Sequence, residues 1–140
     1  MVSVSGNFKK VVQVFACATQ IVAAASCFYM FVKLNERGGL ELKTGNAPDR
    51  YYANLTFYTA ISCLMYGLIV CFMGIVELGL VFIPQYFKFI SSVILRAVIY
   101  VLCGVAILGT SGDLGIAAGS LEFIIAVLMI LIFILENDCK

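Results

Sequence analysis

The stretch that decides the fold is residues 93–109, VILRAVIYVLCGVAILG, an apolar run that contains a single charged residue, Arg96. Leu, Ile and Val occur in it at the density of a membrane span or a deeply buried helix. An arginine at the centre of a membrane span costs about 2.5–3.5 kcal/mol on insertion scales, so it pairs, reaches the headgroups or lines a wet cavity. What surrounds Arg96 therefore bears directly on function.

The rest of the chain has the same apolar character. Its 140 residues are 63% hydrophobic and 12% charged, and its mean hydropathy is +1.07. Soluble domains carry about 25% charged residues. The composition therefore predicts an all-α, four-helix transmembrane bundle, because the length suffices for about four spans of about 20 residues. A net charge of +1 without a basic stripe disfavours a nucleic-acid partner.

Four apolar stretches predict the spans: 11–32, 53–77, 90–109 and 114–135. The loop at 33–52 contains several charges, a Gly-Gly pair and Pro48, so it is expected outside the hydrocarbon. Pro84 and an aromatic-flanked Lys88 indicate a short turn along the membrane surface between spans two and three.

Four spans place both ends of the chain on the same side of the membrane. Lys and Arg are evenly divided between the two sides when Arg96 is left out, and Arg96 tips the balance towards cytosolic ends.

Glu77 is the predicted partner of Arg96. It closes span two on the membrane side where span three begins, so the connection between these spans brings the two charges together. Snorkelling of Arg96 to the headgroups is the alternative, and a transport role is a third. Arg96, Tyr100 and Gly104 recur every fourth residue, so they share one helix face, which is expected to be buried against protein.

Span four carries a stripe of small residues. Gly115 and Gly119 form a small-xxx-small pair, and Glu122 and Ala126 continue the same face. Together with Tyr100 and Gly104, the small residues of this stripe predict a helix-packing seam, against a neighbouring helix of this chain or of a partner.

Glu122 is an intramembrane carboxyl that is not expected to meet Arg96, because the two lie towards opposite membrane faces. If protonated, Glu122 would donate a hydrogen bond to Thr19, Gln20 or Ser62. A carboxyl at this depth also suggests a proton or cation carrier. Rotor proteolipids of ATPases have four spans and a glutamate in the last, but their two hairpins are duplicates, and this sequence shows no such repeat.

The cysteines do not indicate a disulfide framework or a metal site. Five of the six fall in apolar segments, where cysteine behaves as a small hydrophobe: Cys17, Cys27, Cys63, Cys71 and Cys103. Cys139, in the tail ENDCK, is either acylated or an unmodified thiol. The sequence has no histidine and no CxxC pair, so no metal is expected. It also lacks a recognisable catalytic constellation, so we expect a non-enzyme with no cofactor.

The segment YFKFISSVILRAVIYVLCGVAILG resembles the COPI-associated membrane protein family, small four-span proteins of late Golgi vesicles. The family shows an aromatic and Leu-rich approach, an arginine, a Tyr or Phe one helical turn later, and then a glycine. Arg96, Tyr100 and Gly104 occupy these places, whereas Leu95 stands where the family has a small residue. The resemblance implies a Golgi or endosomal tetraspan protein with cytosolic ends and a link to vesicle traffic.

These observations predict a structural or trafficking protein of Golgi or endosomal membranes, acting through helix packing. Its expected partners are membrane lipids and other membrane proteins. Two alternatives stay open: an accessory subunit of a large assembly, such as a rotary ATPase or respiratory complex, and a small proton- or cation-coupled transporter that uses Glu122.

Overall fold

The computed structural model of the chain describes residues 6–38, 54–110 and 112–137. They form four α-helices and one 3₁₀ helix: α1 Gly6–Glu36, α2 Leu55–Phe82, the 3₁₀ helix Pro84–Ile90, α3 Val93–Leu108 and α4 Asp113–Asn137. The predicted all-α bundle is confirmed. Most of the predicted loop at 33–52, and Cys139, lie outside the described residues.

Three of the helices, α1, α2 and α4, are long and apolar enough to cross a membrane. The remaining helix, α3, is apolar but has only 16 residues. At 1.5 Å per residue it extends about 24 Å, less than the hydrocarbon thickness of about 30 Å. It begins at Val93, later than the predicted span at 90, because Ile90 belongs to the 3₁₀ helix and Ser92 has an extended backbone.

α2 continues beyond the predicted end at 77. It ends at Phe82, where the N–H of Ile83 donates to the carbonyl of Gly79 at 2.6 Å. Pro84 follows; it has no N–H to donate, and its ring restricts the backbone of Ile83. Glu77 therefore lies inside the helix, more than one turn before its end. Arg96 lies in the first turn of α3, closer to the helix start than the prediction placed it.

The helices pack as two pairs. α1 packs along α2 and α3 along α4, and the pairs join mainly through α1 and α4, whereas contacts between α2 and α3 are few. The turn between α3 and α4 passes through Gly112, whose φ of 61° lies in the left-handed region that favours glycine.

Two apolar clusters fill the interior. The larger contains Val12, Ala16, Met73, Val76, Ile90, Ala97, Tyr100, Ile125, Ala126, Met129 and Ile132. The second has many small side chains: Ala23, Ala24, Cys27, Val70, Cys103, Ile107 and Ala118. Small side chains allow helix backbones to approach closely, as they do in membrane bundles.

Charged side chains lie in the interior and apolar side chains on the surface, the opposite of their distribution in a soluble domain. Charged side chains in the interior include Glu77, Arg96 and Glu122, which are at most 4% exposed, while large apolar side chains are exposed on all four α-helices. Soluble proteins almost never bury Glu or Arg fully and place most Ile, Leu and Phe inside. Interior charges facing other helices, with an apolar outer surface, are typical of a membrane protein.

Candidate functional site

A buried polar contact between α2 and α3 contains the predicted ion pair. Nη1 of Arg96 donates to Oε2 of Glu77 at 2.7 Å, and the Tyr100 hydroxyl donates to Oε1 of the same carboxylate at 2.5 Å. Both carboxylate oxygens are thus occupied by donors on one face of α3. We call Glu77, Arg96 and Tyr100 the α2–α3 polar cluster.

The α2–α3 polar cluster is buried. The side chains of Glu77 and Arg96 are 0% and 5% exposed, and Tyr100 is fully buried. A buried charge is costly unless it is paired and hydrogen-bonded, and removing one partner from such a pair typically costs 3–5 kcal/mol. The predicted pair is present, and Glu77 neutralises Arg96 inside the bundle.

Tyr100 does more than the sequence indicated. It was predicted as part of the packing seam and indeed belongs to the larger core cluster, but its hydroxyl also bonds Glu77. The sequence contains an indication of this bond, because Tyr100 lies one turn after Arg96 on the same helix face. Any acceptor that reaches Arg96 from α2 also lies within reach of a tyrosine at that position.

A second buried polar contact joins α1 to α4. Nε2 of Gln20 lies 2.8 Å from Oε1 and 3.0 Å from Oε2 of Glu122, whose side chain is fully buried. Gln20 was one of three predicted partners, although here the glutamine is the donor. As predicted, the hydrogen-bond partner of Glu122 among the described residues is not Arg96 but Gln20.

The other two predicted partners of Glu122 are not joined to it. Ser62 is exposed, and its hydroxyl donates to the carbonyl of Tyr58 at 2.8 Å. Such a bond to the preceding turn satisfies a hydroxyl within its own helix. Thr19, which precedes Gln20 in the sequence, is buried, but its Oγ1 has no hydrogen-bond partner among the described residues. Oε1 of Gln20 also has none there.

The predicted packing seam lies between α3 and α4. A Cβ on Gly119 would lie 2.7 Å from Cγ of Leu108 and 2.9 Å from the carbonyl oxygen of Gly104, and one on Gly104 would lie 3.2 Å from the carbonyl oxygen of Gly119. The two backbones are thus in close contact where each helix has a glycine. The seam is used within the chain, and these positions are not open to a partner's helix.

The remaining members of the predicted stripe are also internal. Gly115 packs against the carbonyl of Thr110 in the turn before α4, which leaves no room for a side chain. Ala126 is 1% exposed in the larger core cluster. Because Gly115, Gly119, Glu122 and Ala126 are all buried, this face of α4 is the one that the sequence predicted to pack.

Two further polar contacts were not anticipated. Lys9 near the start of α1 forms an ion pair with Glu136 near the end of α4, and the Ser26 hydroxyl lies 3.1 Å from that of Thr110. Both join segments that are far apart in sequence. The sequence alone does not indicate either pair of partners, because one depends on α1 packing beside α4 and the other on α1 packing beside the turn that precedes α4.

The described residues offer little for metal or redox chemistry. Within them, no group of three His, Cys, Asp or Glu side chains is placed to hold a metal ion. The five described cysteines are free thiols, three of them buried. The chemistry visible in the bundle interior is hydrogen bonding between helices.

No family model matches the chain, and no curated protein or solved structure matches it. The resemblance to COPI-associated membrane proteins therefore rests only on the sequence of residues 86–109, which contain α3 and part of the 3₁₀ helix before it.

Proposed function

We propose that this protein is a non-catalytic integral membrane bundle with a structural or trafficking role, acting by packing against partner membrane proteins and lipids. The observation that carries the proposal is the α2–α3 polar cluster. An arginine and a tyrosine of α3 both donate hydrogen bonds to one glutamate of α2 inside the bundle, at the place where α2 and α3 otherwise have few contacts. Such a group holds helices together.

The exposed apolar faces supply the surface for partners and lipids. Because the α3–α4 glycine seam is filled by the chain itself, partner contacts use the outer faces, where side chains such as Leu102 and Val105 of α3 are 62% exposed. Helices in lipid associate by close packing and interhelical hydrogen bonds, without a hydrophobic driving force between them. Partner binding would thus depend on how closely the surface of a partner helix fits these faces.

The proposed location is a Golgi or endosomal membrane. It is supported by the order of Arg96, Tyr100 and Gly104 in the segment that resembles COPI-associated proteins. Imaging of the tagged full chain tests it: we expect overlap with Golgi or endosomal markers, and a distribution confined to the plasma membrane or mitochondria would contradict it.

The size of the detergent-extracted protein tests whether the chain has stable partners. Extraction of the native protein in a gentle detergent, followed by size-exclusion chromatography with light scattering, is expected to show a species larger than one 15.2 kDa chain with its micelle. A single chain would contradict stable partners. Identifying the co-eluting proteins separates a trafficking protein from an accessory subunit of a rotary ATPase or respiratory complex.

Transport through Glu122 is the second candidate, favoured by one observation: a fully buried carboxyl on α4. Reconstituted vesicles distinguish the two. The structural proposal expects Arg96→Leu to lower the melting temperature and expects wild-type protein to produce no flux of protons or cations. Flux that is lost in Glu122→Gln, in a protein that remains folded, would support the transporter instead.

A further inference from the structure

A cavity of about 270 Å³ opens at the end of the bundle where α1 begins and α4 ends. Its polar lining residues are Lys9, Gln13, Ser91, Arg96 and Glu136, and apolar side chains such as Leu80 and Met129 line the rest. Because about 10–15 Å³ suffices to hold one water molecule, the cavity has room for a small polar group.

Arg96 gives this cavity an unsatisfied donor. The residue is 4% exposed and lines the cavity, and while its Nη1 bonds Glu77, its buried Nε has no hydrogen-bond partner among the described residues. Guanidinium groups have five N–H donors and no acceptor, so one carboxylate oxygen leaves most of them unused. Nε itself is enclosed by protein atoms, so the donors of Arg96 that an acceptor in the cavity would meet are the terminal N–H groups.

The start of α3 adds donors beside Arg96. Ser91 and Val93 line the cavity, and the side chain of Ser92, the residue that precedes the helix, makes no capping hydrogen bond. The first N–H groups of a helix lack partners within it, and they carry the positive end of the helix dipole. Together with Arg96, this helix start is suited to an anion.

The charged residues that line the cavity are Lys9, Arg96 and Glu136, and each cation has a carboxylate partner: Glu77 for Arg96 and Glu136 for Lys9. Lys9 pairs with Glu136, but the two side chains are 40% and 38% exposed, and exposed pairs contribute little to stability. Lys9 is therefore available to a stronger acceptor. Lys10 and Lys88 are exposed towards the same end of the bundle.

We propose that this cavity binds an anionic phosphate group, carried on a lipid headgroup or present as free phosphate. The terminal N–H groups of Arg96, Lys9 and the first N–H groups of α3 would donate to the phosphate oxygens, since guanidinium groups and helix starts both suit phosphate. The cavity lies at the end of the bundle, where a headgroup arrives when the helices span a membrane. This site goes beyond the packing role, although it shares Arg96 with the α2–α3 polar cluster, and it assigns a ligand to the end of the bundle.

The test uses the full chain in nanodiscs of phosphatidylcholine, either alone or with one lipid in ten replaced by phosphatidic acid. Native mass spectrometry counts the retained phosphatidic acid, and inorganic phosphate is added in a separate arm. Ser91→Asp puts a carboxylate at the cavity, and Lys9→Gln removes a cation; both retain Arg96 and Glu77. Lys10→Gln is the matched control, because Lys10 is exposed and is not among the lining residues.

We expect selective retention of phosphatidic acid, weakened about tenfold or more in Ser91→Asp and Lys9→Gln and unchanged in Lys10→Gln. Melting temperatures in phosphatidylcholine verify that each variant is folded. Competition by inorganic phosphate, or binding of phosphate without phosphatidic acid, would identify free phosphate as a ligand of the same site. Equal retention of both lipids with no phosphate binding would overturn the proposal, as would full binding in both cavity variants.

Discussion

At the scale of single residues, the bundle depends on buried polar side chains that form hydrogen bonds between helices. Glu77 accepts from two donors on α3, and Glu122 accepts from Gln20 on α1. The environment of each carboxylate therefore differs: the first faces a permanent cation, and the second faces a neutral amide. This difference leads to opposite expectations for substitutions at the two sites.

Tyr100→Phe removes one oxygen and leaves the ring in the core. Because the hydroxyl donates to a buried carboxylate at 2.5 Å, we expect a loss of about 1.5–3 kcal/mol of stability. Thermal unfolding in detergent measures this loss as a lower melting temperature. Tyr66→Phe, on a ring of α2 that is 36% exposed, is the matched control and should have little effect. Equal melting of wild type and Tyr100→Phe would show that the bond contributes nothing.

Glu122→Gln should be tolerated, whereas Glu122→Leu should not. A glutamine has the shape of the glutamate side chain, accepts from Nε2 of Gln20 and can donate to Oε1 of Gln20, which has no hydrogen-bond partner among the described residues. A leucine leaves the buried amide of Gln20 without its partner, at a cost of about 1–3 kcal/mol. Melting temperatures should thus fall only in Glu122→Leu. A large fall in Glu122→Gln would show that the bundle needs the carboxylate itself.

At the scale of helices, α3 and α4 are joined by two glycines that face each other. Gly119→Ala would place a methyl group against Leu108 and the backbone of Gly104, and a backbone cannot move aside as a flexible side chain can. Overpacking of this kind costs about 1–3 kcal/mol. We therefore expect a lower melting temperature in detergent for Gly119→Ala.

Gly109→Ala is the control for the seam. Gly109 has no atom within 4 Å of an added Cβ, and its φ of −87° is accessible to alanine, so this variant should melt like wild type. If both alanine variants were equally stable, the close approach of α3 and α4 would not be a constraint on the fold.

Sequence reasoning succeeded where neighbouring segments determine the contact. The contact between Glu77 and Arg96 was predictable because a short connection joins their helices and because each is a charged residue within an otherwise apolar stretch. Residues far apart in sequence were harder: Gln20 and Glu122 are 102 positions apart, and their contact depends on α1 packing beside α4. The beginning of α3 was predicted too early because Ile90 continues the apolar pattern, although two serines separate it from the helix.

At the scale of the whole molecule, the two helix pairs are joined by contacts of different kinds. α1 and α4 pack directly, whereas α2 and α3 have few contacts and are bridged by the α2–α3 polar cluster. The outer surface is apolar and the interior contains the charges. A membrane protein organised in this way uses its buried charges as links between helices, and the central claim is that Glu77 and Arg96 act as such a link.

A double-mutant cycle on thermal or denaturant unfolding in detergent, with Glu77→Leu, Arg96→Met and the double variant, tests that claim most directly. Each single substitution leaves an uncompensated buried charge and should cost about 3–5 kcal/mol. The double variant should lose less than the sum of the two single losses, by a coupling energy of about 1–3 kcal/mol. Additive losses, or an Arg96→Met protein as stable as wild type, would contradict the account.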